Sequence, residues 1–157
     1  MRKYLLADSF IVYLREKFPY DVYTDDFELI VQSIKKNESY IVNETKRNLN
    51  YLLQEENDID YYSGLFKEDY SPTNKTLQKM YEIINHDKNF TFLQHEVLYG
   101  QPISIPFIIA TAMIDNSIIV LDETDKEFHK YKKLCETYNI EMCYKTTYLK
   151  ALKGKKN

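Results

Sequence analysis

The chain has 157 residues, of which 44% are hydrophobic and 29% charged, and its formal net charge is −3. That length supports one domain with its own core, without metal or disulfide staples, and no apolar run approaches the roughly 18 residues of a membrane span. Charge is distributed unevenly, with nine Lys against three Glu from Lys126 onward and twelve basic against twenty-one acidic residues before it.

"KYLLA" opens the chain as a short apolar strand. Asp8 interrupts this start and no small-residue cleavage site follows, so it does not read as a secretory signal, and the cytoplasm is the expected location. Ser9 to Lys17 reads as a helix with Phe10 and Leu14 one turn apart, stopped by "FPYD". Thr24 is placed to cap the next helix, whose first turn carries Asp25 and Asp26 and whose apolar stripe is Phe27, Ile30, Val31 and Ile34. "SYIVN" is the second strand, Glu44 to about Gln54 is helical, and "EENDIDYYSG" reads as an acidic linker. Ser71 as cap and Pro72 at the first helical position open a helix with Leu77, Met80, Tyr81 and Ile84 inward. A helix from Ile105 to Asp115, entered at Pro106, is followed by a strand from Ser117 to Leu121 that ends in Asp122 and Glu123. Lys126 to Tyr138 is a helix, "IEMCY" a strand, and Thr147 to Lys153 the last helix. Alternating strands and helices predict a three-layer α/β/α domain over residues 1–157, with a central, mainly parallel sheet and a short basic tail from about residue 150.

In such sheets the functional crevice lies beyond the carboxyl ends of the strands. That directs attention to Ala7, Asp8, residues 43–48, Ser104, Ile105, Asp122 and Glu123. Other chemistries lack their residues. His86, His95 and His129 show no metal spacing, no G-x-S-x-G elbow surrounds Ser9, and three glycines form no phosphate-cradling loop. Cys135 and Cys143 match no zinc pattern and read as small buried hydrophobes in a reducing compartment. Asn74-Lys75-Thr76 and Asn89-Phe90-Thr91 match glycosylation acceptors by letter, but a cytoplasmic chain does not meet that machinery. Fifteen Tyr and eight Phe serve either an interface or the core boundary. The basic end, with Lys150, Lys153, Lys155 and Lys156, reads as a solvated tail, with phosphate contact as the alternative.

Several segments in order then resemble one family. "KYLLADSFI", "KFPYDVYTDDFELI", "SYIVNETKRNL", "YSPTNKTLQKMYEII", "GQPISIPFIIATAMIDNSIIVLDE" and "LCETYNIEMCYKTTYLKAL" together resemble the PIN-like nucleases, in their compact bacterial branch often encoded as a toxin beside an antitoxin. The resemblance runs nearly end to end and implies a PIN-like form of the α/β/α fold. It also implies hydrolysis of RNA by three or four carboxylates that hold magnesium or manganese, since such hard cations take oxygen ligands.

Matched residue by residue, the family's first aspartate falls on Ala7, its glutamate on the helix after the second strand falls on Asn48, and the aspartate before proline falls on Ile105. Only the last acid persists, as Glu123. The resemblance therefore implies a degenerate nuclease centre that holds no metal, and a binding module whose partner is a protein: a second copy of itself, an antitoxin or a defence-type protein, with the chain as decoy or regulator. The alternatives are a magnesium or manganese ribonuclease built from the shifted acids Asp8, Glu44, Asp122 and Glu123, and a non-catalytic RNA-binding protein. For Asp8 the objection is that turning it inward requires a one-residue slip of the first strand, which would exchange its buried and exposed sides. For Glu44 it is a displacement of about 5–6 Å along the helix from Asn48.

Overall fold

The period-two alternation of a β-strand divides the interior of this protein into two cores. The structure, a computed structural model, describes residues 2–18, 24–68, 70–86, 104–122, 124 and 128–155. Four short strands, β1 (Tyr4–Leu6), β2 (Ser39–Tyr40), β3 (Ile118–Leu121) and β4 (Met142–Tyr144), pair in the order β2-β1-β3-β4, all parallel. Leu5 lies opposite Tyr40 on one side and Ile119 on the other. Leu5, Ala7, Tyr40, Val42, Ile119 and Leu121 then belong to one core, and Leu6, Ile41 and Val120 to the other. Apolar residues on both faces mean that both faces must be covered by helices, as all-parallel sheets require.

The helices α1 (Asp8–Lys17), α2 (Asp25–Lys35), α4 (Leu49–Leu53), α5 (Glu56–Leu65) and α9 (Lys145–Lys155) cover the second core, through residues such as Phe10, Phe27, Leu49, Tyr62 and Tyr148. A short α3 (Asn43–Arg47) precedes α4. The first core is covered by α6 (Asn74–His86), α7 (Ile105–Asp115) and α8 (Phe128–Tyr138), through Met80, Ile83, Ile108, Ile109, Tyr131 and Leu134. The fold is the expected three-layer α/β/α arrangement, and among the described residues no helix is long and apolar enough to cross a membrane.

Local chemistry explains several boundaries. Thr24 caps α2 as expected, its hydroxyl accepting from the Phe27 N–H at 3.1 Å. Asn37, Asn116 and Asn139 follow α2, α7 and α8 with φ of 58°, 53° and 56°, the left-handed geometry that asparagine tolerates at helix ends. Each of these turns feeds a strand.

Other expectations need correction. Residues 55–64 are no linker, because most of them form α5. Glu56 and Asp58 stand at its positive first turn, while Tyr62 and the following Phe66 are fully buried. The helix expected from Glu44 to Gln54 breaks at Asn48 into α3 and α4. Ser71 and Pro72 precede α6, and the capping hydroxyl is that of Thr73, which accepts from Thr76 N–H at 3.2 Å. The first helix begins at Asp8, one residue before Ser9, and the last at Lys145, two before Thr147. The basic tail is largely helical: α9 runs to Lys155, and Leu152 is buried against the α2 side of the sheet. The "FPYD" stop falls mostly on residues 19–23, and Asn89 to Thr91, His95, Lys126 and Lys156 also lie outside the described residues, as does the side chain of Lys155.

Among the described residues, Tyr40, Tyr62, Tyr131 and Tyr148 are buried and most other tyrosines are half-buried at the core boundary. Tyr62, Tyr131 and Tyr148 are among the largest fully buried side chains, whereas Tyr51 and Tyr81 are exposed. The Tyr148 hydroxyl meets Ser39 at 2.7 Å, and Ser39 meets Ser33 at 2.6 Å, so the polar tip of a buried ring is satisfied within the core. Both cysteines are free. Burial pushes the Cys135 thiol up to about 12 and the Cys143 thiol up to about 11, as expected of small hydrophobes rather than reactive thiols.

Candidate functional site

With the order β2-β1-β3-β4, the chain leaves β1 toward β2 on one side while β3 and β4 lie on the other. The switch point is therefore at the carboxyl ends of β1 and β3, where such sheets hold their sites. Asp8 follows β1 and Asp122 follows β3, so each arrives there by strand geometry alone.

Ala7 is fully buried in the core and serves as the N-cap of α1 with an extended backbone, φ −80° and ψ 163°. The next residue, Asp8, is the first of the helix, and the turn from strand to helix swings its side chain into the mouth. Its carboxylate accepts from Thr45 Oγ1 at 2.6 Å, Ser104 Oγ at 2.7 Å and Asn48 Nδ2 at 3.4 Å. The sequence argument against Asp8 assumed that it continued the strand. It does not: Asp8 opens α1 and faces the mouth with no strand slip, while Ala7 stays buried. The first turn of α1 also favours its negative charge.

Ser104 stands at the N-cap of α7, but its hydroxyl makes no cap bond and is given to Asp8 instead. Ile105, the matched acid position beside it, is 9% exposed and belongs to the core. Asn48 occupies the break between α3 and α4 and is 6% exposed. Its Nδ2 faces Asp8, and its Oδ1 is buried without a hydrogen-bond partner. Thr45, Asn48 and Ser104 thus converge on one carboxylate from two sides of the sheet.

Asp122 is 8% exposed, too deep to carry its charge without a partner. Lys145 Nζ lies 2.6 Å from its Oδ1, and the Thr124 hydroxyl donates to its Oδ2. Lys145 is the first residue of α9, directly after β4, so the neighbouring strand end delivers the ammonium. The same Nζ sits 4.6 Å from the centre of the Tyr13 ring, which adds a cation–π contact. The backbone N–H of Asp122 donates to Ser9 Oγ at 3.2 Å, which ties the Asp122 cluster to the residue that follows Asp8.

Glu44, on α3, is half-buried, and that burial pushes its carboxyl above the usual range despite opposing help from its own backbone and from Arg47. Its backbone carbonyl accepts from Asn48 N–H, so it lies one turn away as the sequence suggested. Glu123 lies outside the described residues. The donor set fits a divalent ion poorly. Among the described residues no three His, Cys, Asp or Glu side chains converge, the Asp8 oxygens already accept three hydrogen bonds, and Asp122 is held by an ammonium.

Of the described residues of the basic end, Lys153 turns to α2 rather than to this mouth. Lys153 Nζ pairs with Asp26 of α2 at 3.2 Å, and Lys150 is exposed. Lys153 is eight residues along α9 from Lys145, about 12 Å of helix.

Sequence reasoning missed Lys145 and Thr124, and the roles of Thr45, Ser9 and Ser104. A signal existed for Lys145, since a lysine directly after a strand in a parallel sheet lies at the functional edge. No family model matches the chain, and no curated protein matches it.

Proposed function

We propose that the protein is a PIN-like module with a degenerate nuclease centre, working in a reducing cytoplasm by binding a protein rather than by cleaving RNA. The observation that carries this reading is the Lys145–Asp122 pair at 2.6 Å. A nuclease of this class needs uncommitted carboxylates that concentrate negative charge for a metal. Here one acid is neutralised by an ammonium and the other is committed to three neutral donors. The partner is a second copy, an antitoxin or a defence-type protein, and the chain acts on it as decoy or regulator.

One observation favours a magnesium or manganese ribonuclease as the second reading: of the four shifted acids Asp8, Glu44, Asp122 and Glu123, Asp8 accepts from Ser104 at the mouth and the Asp122 backbone is tied to Ser9, the residue after Asp8. An RNA-binding role draws less support, because Lys153 is engaged with α2 rather than the mouth.

The experiment is capture with the tagged full chain as bait in its native host, with and without ribonuclease treatment, read by mass spectrometry. The expected result is a defined protein partner, or the untagged chain itself, retained after ribonuclease. Capture that depends wholly on RNA would overturn the reading.

A further inference from the structure

A second polar cleft lies away from the mouth, between β2 and the start of α6, with a volume of about 470 Å³. Lys3 precedes β1 and Asp115 precedes β3, so these two lining charges stand at the amino ends of the strands, opposite to Asp8 and Asp122. Thr73 and Thr76 bring the first turn of α6 to this cleft, and Thr111 and Asp115 bring the last turn of α7. The amino end of a helix carries a positive partial charge and the carboxyl end a negative one, so the backbone alone presents both signs to one cleft. Side chains add full charges of each sign, Lys3 against Asp115 and Glu68.

Those charges are not spent on one another. Among the described residues, the Lys3 ammonium lies 5.9 Å from the centre of the Tyr40 ring and has no carboxylate in ion-pair range. Asp115 Oδ2 accepts from the Tyr40 hydroxyl at 3.0 Å, which fixes the carboxylate and leaves Oδ1 for a second donor. The same hydroxyl meets Ser117 Oγ at 2.6 Å, which ties the arrangement to the start of β3. Asp115 is also the last residue of α7, where its own helix disfavours its charge and a cation would favour it. Tyr70, with its ring centre 5.7 Å from that of Tyr40, adds an apolar wall. Burial and then the Glu68 charge push its phenol up to about 12, so it stays a neutral donor at pH 7.

We propose that this cleft binds a small zwitterion of the amino-acid class, whose carboxylate is taken by Lys3 and whose ammonium is taken by Asp115. Asp115 and Glu68 oppose a ligand that is only anionic, and Lys3 opposes one that is only cationic. The volume is in the range of small-molecule sites and leaves room for a ligand side chain beside Tyr70. The inference goes beyond the protein-binding reading, because the mouth takes no part in it.

The test is an NMR titration of the isotope-labelled full chain with the free amino acids one at a time, then with the N-acetyl and carboxamide forms of the best binder. Wild type, Lys3→Met and Asp115→Asn are compared. Both side chains are exposed, so neither substitution opens the core. The wild type should bind at least one amino acid with a Kd of about 1 mM or below, with shifts centred on Lys3, Tyr40, Thr111 and Asp115. Each substitution should weaken that ligand by roughly tenfold, the worth of one charge-assisted hydrogen bond. The N-acetyl form, which lacks the ammonium, should be indifferent to Asp115→Asn and sensitive to Lys3→Met. The carboxamide, which lacks the carboxylate, should show the reverse.

No saturable binding of any amino acid at about 20 mM overturns the inference. So do shifts centred elsewhere, or an affinity that only one of the two substitutions changes, since the site would then read a single charge. If Asp115→Asn does not fold, Lys3→Met decides alone: lost affinity for the free and N-acetyl ligands but not for the carboxamide supports the inference, and an equal effect on all three overturns it.

Discussion

Replacing Ile105 by Asp supplies the acid that the PIN-like resemblance would place there, and the packing around Ile105 makes the protein lose by it. Ile105 is 9% exposed and packs in the core that contains Leu5, Ala7 and Ile108. Removing its burial costs about 1.5–3 kcal/mol. Placing a carboxylate there costs about a further 3 kcal/mol at neutral pH, because the position is buried among apolar side chains and Asp8 lies close by through Ser104. The start of α7 favours a negative charge, but by only about 0.3–1 kcal/mol. Burial and desolvation win, and the net loss is about 4 kcal/mol.

For a chain of this length that lowers the melting temperature by roughly 8–16 °C. The charge component has a pH signature. Burial raises the folded-state pKa of the new carboxyl above its unfolded value, so the folded state binds more protons between the two values, and stability falls as pH rises through that window. The penalty is present above the folded pKa and is relieved on acidification. Urea melts of Ile105→Asp and Ile105→Asn at pH 7 and pH 5 separate the two components. Both variants lose the apolar burial, and only the aspartate should regain stability, relative to the asparagine, at the lower pH. An aspartate variant as stable as wild type at pH 7, or parallel to the asparagine variant at both pH values, refutes the packed-mouth argument.

Glu44→Gln should stabilise the protein slightly at pH 7, by under about 1 kcal/mol because the site is only half-buried, and should have no effect near pH 4. The sign follows from the raised folded pKa of Glu44, whose penalty builds as pH rises from the unfolded value and is complete above the folded one; paired urea melts at the two pH values check it. Lys150→Gln with Lys153→Gln should leave RNA retention on a filter unchanged and alter no salt slope, since real phosphate contacts by those residues would lower the log-log slope by about one unit each. Truncation after Leu149 is not an equivalent test, because it removes the buried Leu152 and destabilises the α2 side of the core.

Long periodic elements were legible in the sequence because their signals are local. The stripe of Phe27, Ile30, Val31 and Ile34, its Thr24 cap and the helix Ile105–Asp115 all stand where periodicity and capping place them. The stretch from Glu56 to Leu65 was misread because four acids in the run from Glu55 to Asp60 look like solvated chain, whereas the helix end they neutralise and the core that Tyr62 enters are only visible once folded. The mouth was half legible. Strand ends located Asp8 and Asp122, but which way Asp8 faces depends on whether residue 8 ends a strand or opens a helix. No spacing rule joins Lys145 to Asp122, twenty-three residues apart, or Ser104 to Asp8, ninety-six apart. Those pairs exist because the parallel topology brings successive strand ends to one edge.

The most direct measurement of the central claim is incubation of purified full-length protein with single-stranded and hairpin RNA in magnesium and in manganese, alongside Asp8→Asn and Asp122→Asn. The expected result is that RNA stays intact in every lane, with both variants indistinguishable from wild type. Metal-dependent cleavage by the wild type that Asp8→Asn or Asp122→Asn abolishes would contradict it.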